Sequence, residues 1–196
     1  MTKLMRVCVF CGSSPGKDPA YAQAARGMGR LLAARGITLV YGGGRVGMMG
    51  ALAQAALNAG GKVIGVIPEG LKRKELASDD LTELRVVQTM HERKQTMADL
   101  ADAFVAMPGG FGTFEEFCEI VTWAQLGLHA KPCGLLDLKN YYRGLLGLFD
   151  HAVAEGFLKP EFRALVLTDP DAARLLDAME AYRAPVLPRW LTPEAT

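Results

Sequence analysis

Short apolar runs of strand type alternate with segments of helical periodicity along most of the chain, and this alternation limits the possible folds more than any other feature. Strand-like runs at residues 6–10, 37–41 and 62–67 are separated by amphipathic segments at 19–35 and 48–58. A repeated strand, helix, strand order predicts parallel strands joined by helical crossovers. We therefore expect an α/β fold, a Rossmann-like doubly wound parallel sheet with helices on both faces.

The same alternation continues beyond a charged connection at about residues 68–80, and it extends nearly to the C-terminus. Further strands are predicted at 84–87, 103–107, 132–136 and 165–168, and further helices at 89–100, 113–128, 141–155 and 170–182. The first of these helices opens with a capping box, Thr89 to Glu92. We expect one domain at residues 1–182 and an irregular, proline-containing tail at 183–196.

Charge and composition exclude several classes of function. The chain has 22 Lys and Arg against 21 Asp and Glu, which predicts neither a nucleic-acid footprint nor attraction to an anionic membrane. No apolar run has signal-peptide or membrane-spanning length, so we expect a cytoplasmic protein. Cys8 and Cys11 would point to opposite faces of a strand, and the three histidines lack metal-binding spacing. No metal or cofactor is expected.

A glycine-rich turn follows the strand at 103–107 and leads into a helix. Glycines at 109, 110 and 112 allow unusual backbone conformations and close approach of a ligand, and the free amides of the helix N-terminus would face an anion. Glu115 and Glu116 come next, which phosphate binding alone does not require. Thr113 to Glu116 also fits a capping box, so spacing by itself favours a structural role for Glu116.

Arg93 and Lys94 lie in the first turn of a predicted helix, where the helix dipole disfavours cations. Arg93 shares a stripe with Met90 and Met97, which indicates that its side chain points inward. An inward arginine there is either half of a structural ion pair or a ligand for phosphate or carboxylate. The sequence supports these two interpretations equally.

Residues 42–47 match the dinucleotide pattern G-x-G-x-x-G, with Glu69 as a possible ribose-binding acid. This turn follows the second strand rather than the first, so the match is weak. In the common strand order the topological switch point lies between the turns at 11–14 and 108–110. Small-molecule binding is expected there, with the glycines at 42–44, Gly43 among them, one strand away.

Six motifs occur together in a characteristic order: CGSS at 11–14, YGGGRVGMMG at 41–50, VIP at 66–68, MHERK at 90–94, PGGFGTFEE at 108–116 and TWAQLG at 122–127. In this combination the chain resembles the Lonely Guy (LOG) family of cytokinin riboside 5′-monophosphate phosphoribohydrolases, over about residues 5 to 160. Proteins of this type were long labelled lysine decarboxylases, but no lysine can be picked out as a pyridoxal-phosphate ligand.

The resemblance implies hydrolysis of the N-glycosidic bond of an adenine-type nucleoside 5′-monophosphate, AMP included, to free base and ribose 5-phosphate. It implies that Arg93 and Glu116 are catalytic. The resemblance also implies that the following residues bind the substrate: Glu75, Lys94, Gly110, Phe111, Gly112, Thr113, Glu115 and Thr122. The expected phosphate cradle and its neighbourhood add Ser13, Gly43 and Gly109 to this set. Phe111 replaces a tyrosine that is common in the family. The family assembles as dimers or larger oligomers, and we expect a homodimer.

Two other functions remain open from the sequence. A nucleotide or pterin-cofactor carrier could use the same fold without turnover, since fold does not fix function. A dinucleotide-dependent oxidoreductase could use residues 42–47, although a single domain leaves little room for its second substrate. A carrier would not need the Arg93 and Glu116 pair, which separates it from a hydrolase.

Overall fold

Seven parallel strands form the centre of the computed structural model, which describes residues 3–75 and 80–185, without the side chains of 73–75. The strands follow the sheet order β4-β3-β2-β1-β5-β6-β7. Their bounds are β1 Arg6–Phe10, β2 Thr38–Tyr41, β3 Val63–Pro68, β4 Glu83–Val87, β5 Ala103–Ala106, β6 Cys133–Leu136 and β7 Val166–Asp169. Each predicted strand is present, and the predicted α/β fold is confirmed.

Helices connect the strands in the expected positions. They are α1 Pro19–Ala34, α2 Gly47–Asn58, α3 Glu69–Glu75, α4 Met90–Leu100, α5 Phe111–Gln125, α6 Arg143–Ala154, α7 Pro160–Arg163 and α8 Ala172–Ala181, with a 3₁₀ turn at Leu138–Asn140. The prediction missed α3 and α7, because the charged segment of α3 carries no apolar stripe and a four-residue helix is too short for periodicity. None of the helices in the described ranges is long and apolar enough to cross a membrane.

Side chains along each strand alternate between two cores, one on each face of the sheet. In β1, Val7 and Val9 pack into the core formed with α1 and α2, while Cys8 and Phe10 pack into the core on the α4 and α5 side. Cys11 belongs to the first core and Cys8 to the second, and both are free thiols. The prediction that the two cysteines face opposite sides of the sheet is therefore confirmed.

The switch point lies where it was predicted. β1 pairs with β2 on one side and with β5 on the other, so the crossovers leave in opposite directions from these two strands. The carboxyl ends of β1 and β5 are therefore free to border a crevice. The predicted irregular tail is described only at residues 183–185, where it has no regular structure, and its remainder lies outside the described residues.

Candidate active site

A cavity of about 360 Å³ opens at the carboxyl edge of the sheet, at the switch point. Its walls come from the end of β1, from the turns after β1, β2 and β5, and from helices α2, α3, α4 and α5. The polar or glycine residues of this lining are Gly12, Ser13, Gly42, Arg93, Gly110, Gly112, Thr113 and Glu116. The fold thus brings Arg93, Glu116, Ser13 and residues 110–113 to one place.

Helix α5 begins two residues earlier than predicted. Gly110 is its N-cap and makes no side-chain capping bond, and Phe111 is the first helical residue. Thr113 therefore lies inside the first turn, where it is buried, and it does not cap the helix. The predicted capping box from Thr113 to Glu116 is wrong, so the structural explanation that it offered for Glu116 is removed.

The glycines of the β5–α5 turn serve for space rather than for unusual backbone angles. Gly109, Gly110 and Gly112 are absent from the residues with positive φ, so the conformational argument made from the sequence is wrong for this turn. A Cβ at Gly109 would lie 2.1 Å from Oγ1 of Thr113 and 2.9 Å from the amide nitrogen of Gly12. A Cβ at Gly110 or Gly112 would meet no atom within 4 Å, so this side of the turn is open.

Backbone amides of this turn are available to a ligand. The first backbone bond of α5 runs from the amide of Phe114 to the carbonyl of Gly110, so the amides of residues 111–113 precede the helical ladder. Within the described ranges these three amides and that of Gly110 have no protein acceptor. Together with the positive end of the α5 dipole they make the arrangement typical of an anion site, and residues 110–113 line the cavity.

Arg93 extends from α4 across the sheet edge and is 7% exposed. Its Nε donates to the carbonyl of Val66 at 3.1 Å, and its Nη2 donates to the carbonyl of Gly42 at 3.2 Å. Its Nη1 lies 3.5 Å from Oε1 of Glu116. Two backbone carbonyls therefore fix the guanidinium plane, which leaves Nη1 directed toward the carboxylate. The ion pair that the sequence offered as one of two interpretations is present.

Glu116 lies in the second turn of α5, and only 11% of its side chain is exposed. Burial raises its pKa from 4.5 to about 7, although the guanidinium of Arg93 pulls the pKa down against that rise. A carboxyl group with a pKa near neutral can exchange protons at the pH at which most enzymes work. Such groups occur preferentially at functional sites.

The glycine-rich turn after β2 does not form a dinucleotide site. Gly42 makes room for Arg93, because a Cβ there would lie 1.9 Å from Nη2. The amides of Met48 and Met49 at the start of α2 both point at the carbonyl of Gly12, at 3.1 and 3.4 Å. Two amides of the helix start that would receive a pyrophosphate are thus engaged by the protein's own backbone, which argues against the dinucleotide interpretation.

Other predicted substrate-binding residues lie outside the cavity lining. Lys94 forms ion pairs with Glu115 and, at 2.9 Å, with Glu119, so it joins α4 to α5. Thr122 is exposed and its hydroxyl donates to the carbonyl of Cys118. Gly43 has a φ of 78° and packs against Ile67, and it is not among the residues that line the cavity. Roles for these residues in binding substrate stay predictions.

The side chain of Glu75, at the end of α3, lies outside the described residues.

Sequence reasoning missed the apolar wall of the cavity, which consists of Val9, Phe10, Met49, Leu71, Met90 and Met97. Met90 and Met97 share the helical stripe of Arg93, and this was the available signal. No cluster of His, Cys, Asp and Glu suited to a metal occurs among residues 3–75 and 80–185.

Comparison with known proteins places the chain among homologues. A family described as "Possible lysine decarboxylase" matches residues 49–179. The rice (Oryza sativa subsp. japonica) protein named "Probable cytokinin riboside 5′-monophosphate phosphoribohydrolase LOGL9" is 52% identical over 92% of this chain and 80% of its own length. The Arabidopsis thaliana protein named cytokinin riboside 5′-monophosphate phosphoribohydrolase LOG3 is 49% identical over 92% of this chain and 84% of its own length.

Solved structures share the fold at lower identity. TM1055 superposes with a TM-score of 0.70 at 21% identity, covering 93% of this chain and 100% of that one. A molybdenum cofactor carrier protein of Chlamydomonas reinhardtii superposes with a TM-score of 0.67 at 22% identity, covering 90% and 95%. At this identity the likeness concerns the fold alone. The family match and the identity of about half to the plant proteins show that this chain belongs to the Lonely Guy (LOG) family.

Proposed function

We propose that this protein hydrolyses the N-glycosidic bond of cytokinin riboside 5′-monophosphates, and of AMP, to give the free adenine-type base and ribose 5-phosphate. The observation that carries the proposal is the meeting of two features in one cavity. Free amides at residues 110–113 can bind a phosphate, and the Arg93 and Glu116 pair lies beside them. The names of the plant relatives describe the same reaction.

The nucleotide would be held at its two ends. The 5′-phosphate fits the N-terminus of α5, with Gly109–Thr113 as the cradle and the Ser13 hydroxyl beside it. The base fits the apolar wall, where Met49, Met90 and Met97 offer adaptable contacts. Binding energy from the phosphate would then orient the ribose carbon near the carboxylate, which accelerates the reaction without any contact to the reacting bond.

Glu116 would act on the attacking water. Cleavage breaks the bond between the ribose C1′ and the base nitrogen, the electron pair leaves with the base, and C1′ gains cationic character. The ionised carboxylate stabilises that charge and accepts a proton from the water as its oxygen bonds to C1′. The departing base takes up a proton, so the products are neutral base and ribose 5-phosphate.

Arg93 would keep Glu116 in its working state. Its remaining directed nitrogen, Nη1, lies beside the carboxylate and lowers a pKa that burial raises. The carbonyls of Gly42 and Val66 hold the guanidinium, so it cannot follow a substrate far into the cavity. We therefore assign Arg93 to the orientation and partial ionisation of Glu116, with the exposed edge of Nη1 available to the substrate.

Two other activities fit these residues less well. A non-catalytic carrier of nucleotide or pterin cofactor would bind at the amides of 110–113 but has no use for a buried carboxylate with a pKa of about 7. A lysine decarboxylase needs a lysine that can hold pyridoxal phosphate. Among the described residues no lysine lines the cavity, and Lys94 is engaged by two glutamates.

One assay tests the proposal. The protein is incubated with AMP or with isopentenyladenosine monophosphate, and free base and ribose 5-phosphate are measured by chromatography. Glu116→Gln should lower kcat by about 10²-fold to 10⁴-fold, the usual contribution of a general base. Glu155→Gln makes the same change at an exposed carboxylate at the end of α6 and should retain full activity. Cleavage of neither nucleotide, or full activity of Glu116→Gln, would show the assignment to be wrong.

We also propose a homodimer. Helix α6 has twelve residues and none of them is buried, although Leu145, Leu146 and Phe149 lie against the core on the α5 side. Leu148 on this helix is 60% exposed, and Phe157 just after it is 89% exposed. An amphipathic helix this poorly covered suits a second copy. Sedimentation equilibrium should give twice the chain mass for the native protein, and Leu148→Lys should weaken the dimer. A native protein that sediments as a monomer would contradict this proposal.

A further inference from the structure

Two adjacent tyrosines hold the turn between β5 and α5 from outside the cavity. The hydroxyl of Tyr141 donates to the carbonyl of Gly109 at 2.5 Å, and the hydroxyl of Tyr142 donates to the carbonyl of Met107 at 2.7 Å. The carbonyl between them, that of Pro108, accepts from the amide of Gly12 at 3.1 Å. Three consecutive carbonyls of the turn are therefore each fixed by a separate donor.

Tyr141 determines the direction of the amide of Gly110, which is the N-cap of α5. The peptide bond between Gly109 and Gly110 is trans, so its oxygen and its N–H point to opposite sides. Because Tyr141 holds the oxygen, the N–H of Gly110 must point away from Tyr141. Glycine lies on both sides of this peptide, so no side chain within the turn restrains its rotation. The tyrosine hydroxyl supplies the restraint that the turn lacks.

The segment that carries the tyrosines is itself strained and anchored. Lys139 and Asn140 have φ values of 56° and 58°, in the left-handed region that residues other than glycine rarely adopt. Lys139 forms an ion pair with Asp18, and the Asp137 carboxylate accepts from the amide of Tyr142 at 2.7 Å. Such strain persists only where the surrounding contacts over-determine it, and it concentrates at functional sites.

Aromatic packing fixes the ring of Tyr141 as well. Its ring meets that of Tyr21 edge-on, with centroids 5.8 Å apart, and that of Tyr142 at 5.2 Å. It borders a second cavity of about 250 Å³, which shares Gly12, Ser13 and Gly110 with the first. Tyr141 is not part of the lining that contains Arg93 and Glu116, so its hydroxyl acts on the site only through the turn.

We propose that Tyr141 is a positioning residue, whose hydroxyl sets the orientation of the Gly109–Gly110 peptide and thereby the amide that receives the 5′-phosphate. This inference rests on the proposed function, since it concerns the phosphate end of the same substrate. Tyr142 supports the turn two peptides earlier, from the core, where its own hydroxyl is buried. The pair converts a flexible glycine-rich segment into a preorganised anion site.

The test removes the hydroxyl and keeps the ring. In Tyr141→Phe, the KM for AMP and the inhibition constant of inorganic phosphate should both rise about tenfold, the effect of one lost hydrogen bond on binding. The kcat at saturating AMP should fall less than KM rises. The melting temperature should stay close to the native value, because Tyr141 is 38% exposed and its ring contacts remain.

Tyr182→Phe is the matched control. It makes the same change at the end of α8, where within the described ranges the hydroxyl has no hydrogen-bond partner, and it should leave both constants at native values. If Tyr141→Phe binds inorganic phosphate as tightly as the native protein, the positioning role is wrong. The role is equally wrong if only kcat falls while phosphate binding is unchanged.

Phosphate binding separates this inference from the proposed function. A native protein that binds inorganic phosphate but releases no base from either nucleotide contradicts the hydrolase, while the phosphate affinities of the two tyrosine variants still decide the role of Tyr141. A native protein that binds neither inorganic phosphate nor AMP contradicts both.

Discussion

Two glycine-rich turns lead from a strand into a helix in this protein, one after β2 and one after β5, and other parts of the chain pack against them differently. At the first turn Arg93 fills the space above Gly42, and the carbonyl of Gly12 accepts from two amides at the start of α2. At the second turn the carbonyls of residues 107–109 are bound by protein donors and the amides of 110–113 face the cavity.

The difference shows that a glycine pattern does not by itself identify an anion site. Glycine at the first turn permits the protein to pack against itself, since a Cβ at Gly47 would lie 2.1 Å from the carbonyl oxygen of Ser13. At positions 110 and 112 of the second turn a Cβ would meet no neighbouring atom, so the space beside these glycines is empty. Arg93 connects the two turns, because it donates to the carbonyl of Gly42 in the first and forms an ion pair with Glu116, which follows the second.

Adding one methyl group to a glycine should have a large effect on stability at the first turn and a small one at the second. Gly47→Ala should lower the free energy of unfolding by about 3 kcal/mol, because the methyl group meets backbone and the residue has a φ of 62°. Gly110→Ala should lower it by less than about 1 kcal/mol, the difference between glycine and alanine at an N-cap. Urea titration of both variants measures these values.

For the affinity toward inorganic phosphate, Gly110→Ala should have a larger effect than Gly47→Ala. Gly110→Ala should weaken the affinity for inorganic phosphate by about tenfold or more, since its methyl group occupies the space in which a ligand approaches the amides. Comparable losses of stability in the two variants would break the contrast between a packed turn and an open one, as would unchanged phosphate affinity in Gly110→Ala.

A pH-dependent effect on stability is expected from the charge of Glu116. Its pKa is about 7 in the folded protein against 4.5 when exposed, so the folded state holds the proton more tightly between these values. The stability that this provides is fully present below pH 4.5 and is lost as the pH rises through 7. Relative to Glu116→Gln, the native protein should lose about 3 kcal/mol between about pH 4 and about pH 8.

Unfolding by urea at several pH values measures this difference, with Glu155→Gln as the control that should follow the native protein throughout. The ionised form of Glu116 is the one that accepts a proton, so kcat/KM should rise with pH up to about 7. A constant difference in stability between the native protein and Glu116→Gln would mean that the carboxylate titrates normally and that burial does not tune it.

The smallest effect is expected for Lys94, whose ion pairs join helix α4 to helix α5. Its ion pairs with Glu115 and Glu119 are partly exposed, so Lys94→Met should lower the free energy of unfolding by only about 1 kcal/mol, with a weaker effect at high salt. If Lys94 serves only to join α4 and α5, KM for AMP should stay near the native value. A rise in KM of more than about tenfold would support the substrate-binding role that the family resemblance implies.

Much of the architecture could be predicted because it depends on local patterns. Each strand was found from its apolar run, and the Thr89 cap of α4 is present as predicted, with its hydroxyl accepting from the amide of Glu92. The same motif failed at Thr113, whose hydroxyl is drawn into the space beside Gly109 and cannot cap a helix that begins at Phe111. When two residues could each begin a helix by the local rules, tertiary packing decides which of them becomes the N-cap.

Local patterns were enough to predict the strands, the longer helices and the position of Glu116 just after a glycine turn, because periodicity and turn chemistry act over a few residues. The switch point was predicted only by assuming the common strand order. Which parts of the chain pack against each glycine turn depended on the assembled fold. The groups that close the first turn, Arg93 and the carbonyl of Gly12, come from distant parts of the chain, and so does Tyr141, which holds the second. Whether an amide is free depends on what the fold places in front of it, and that is a property of the assembled sheet edge.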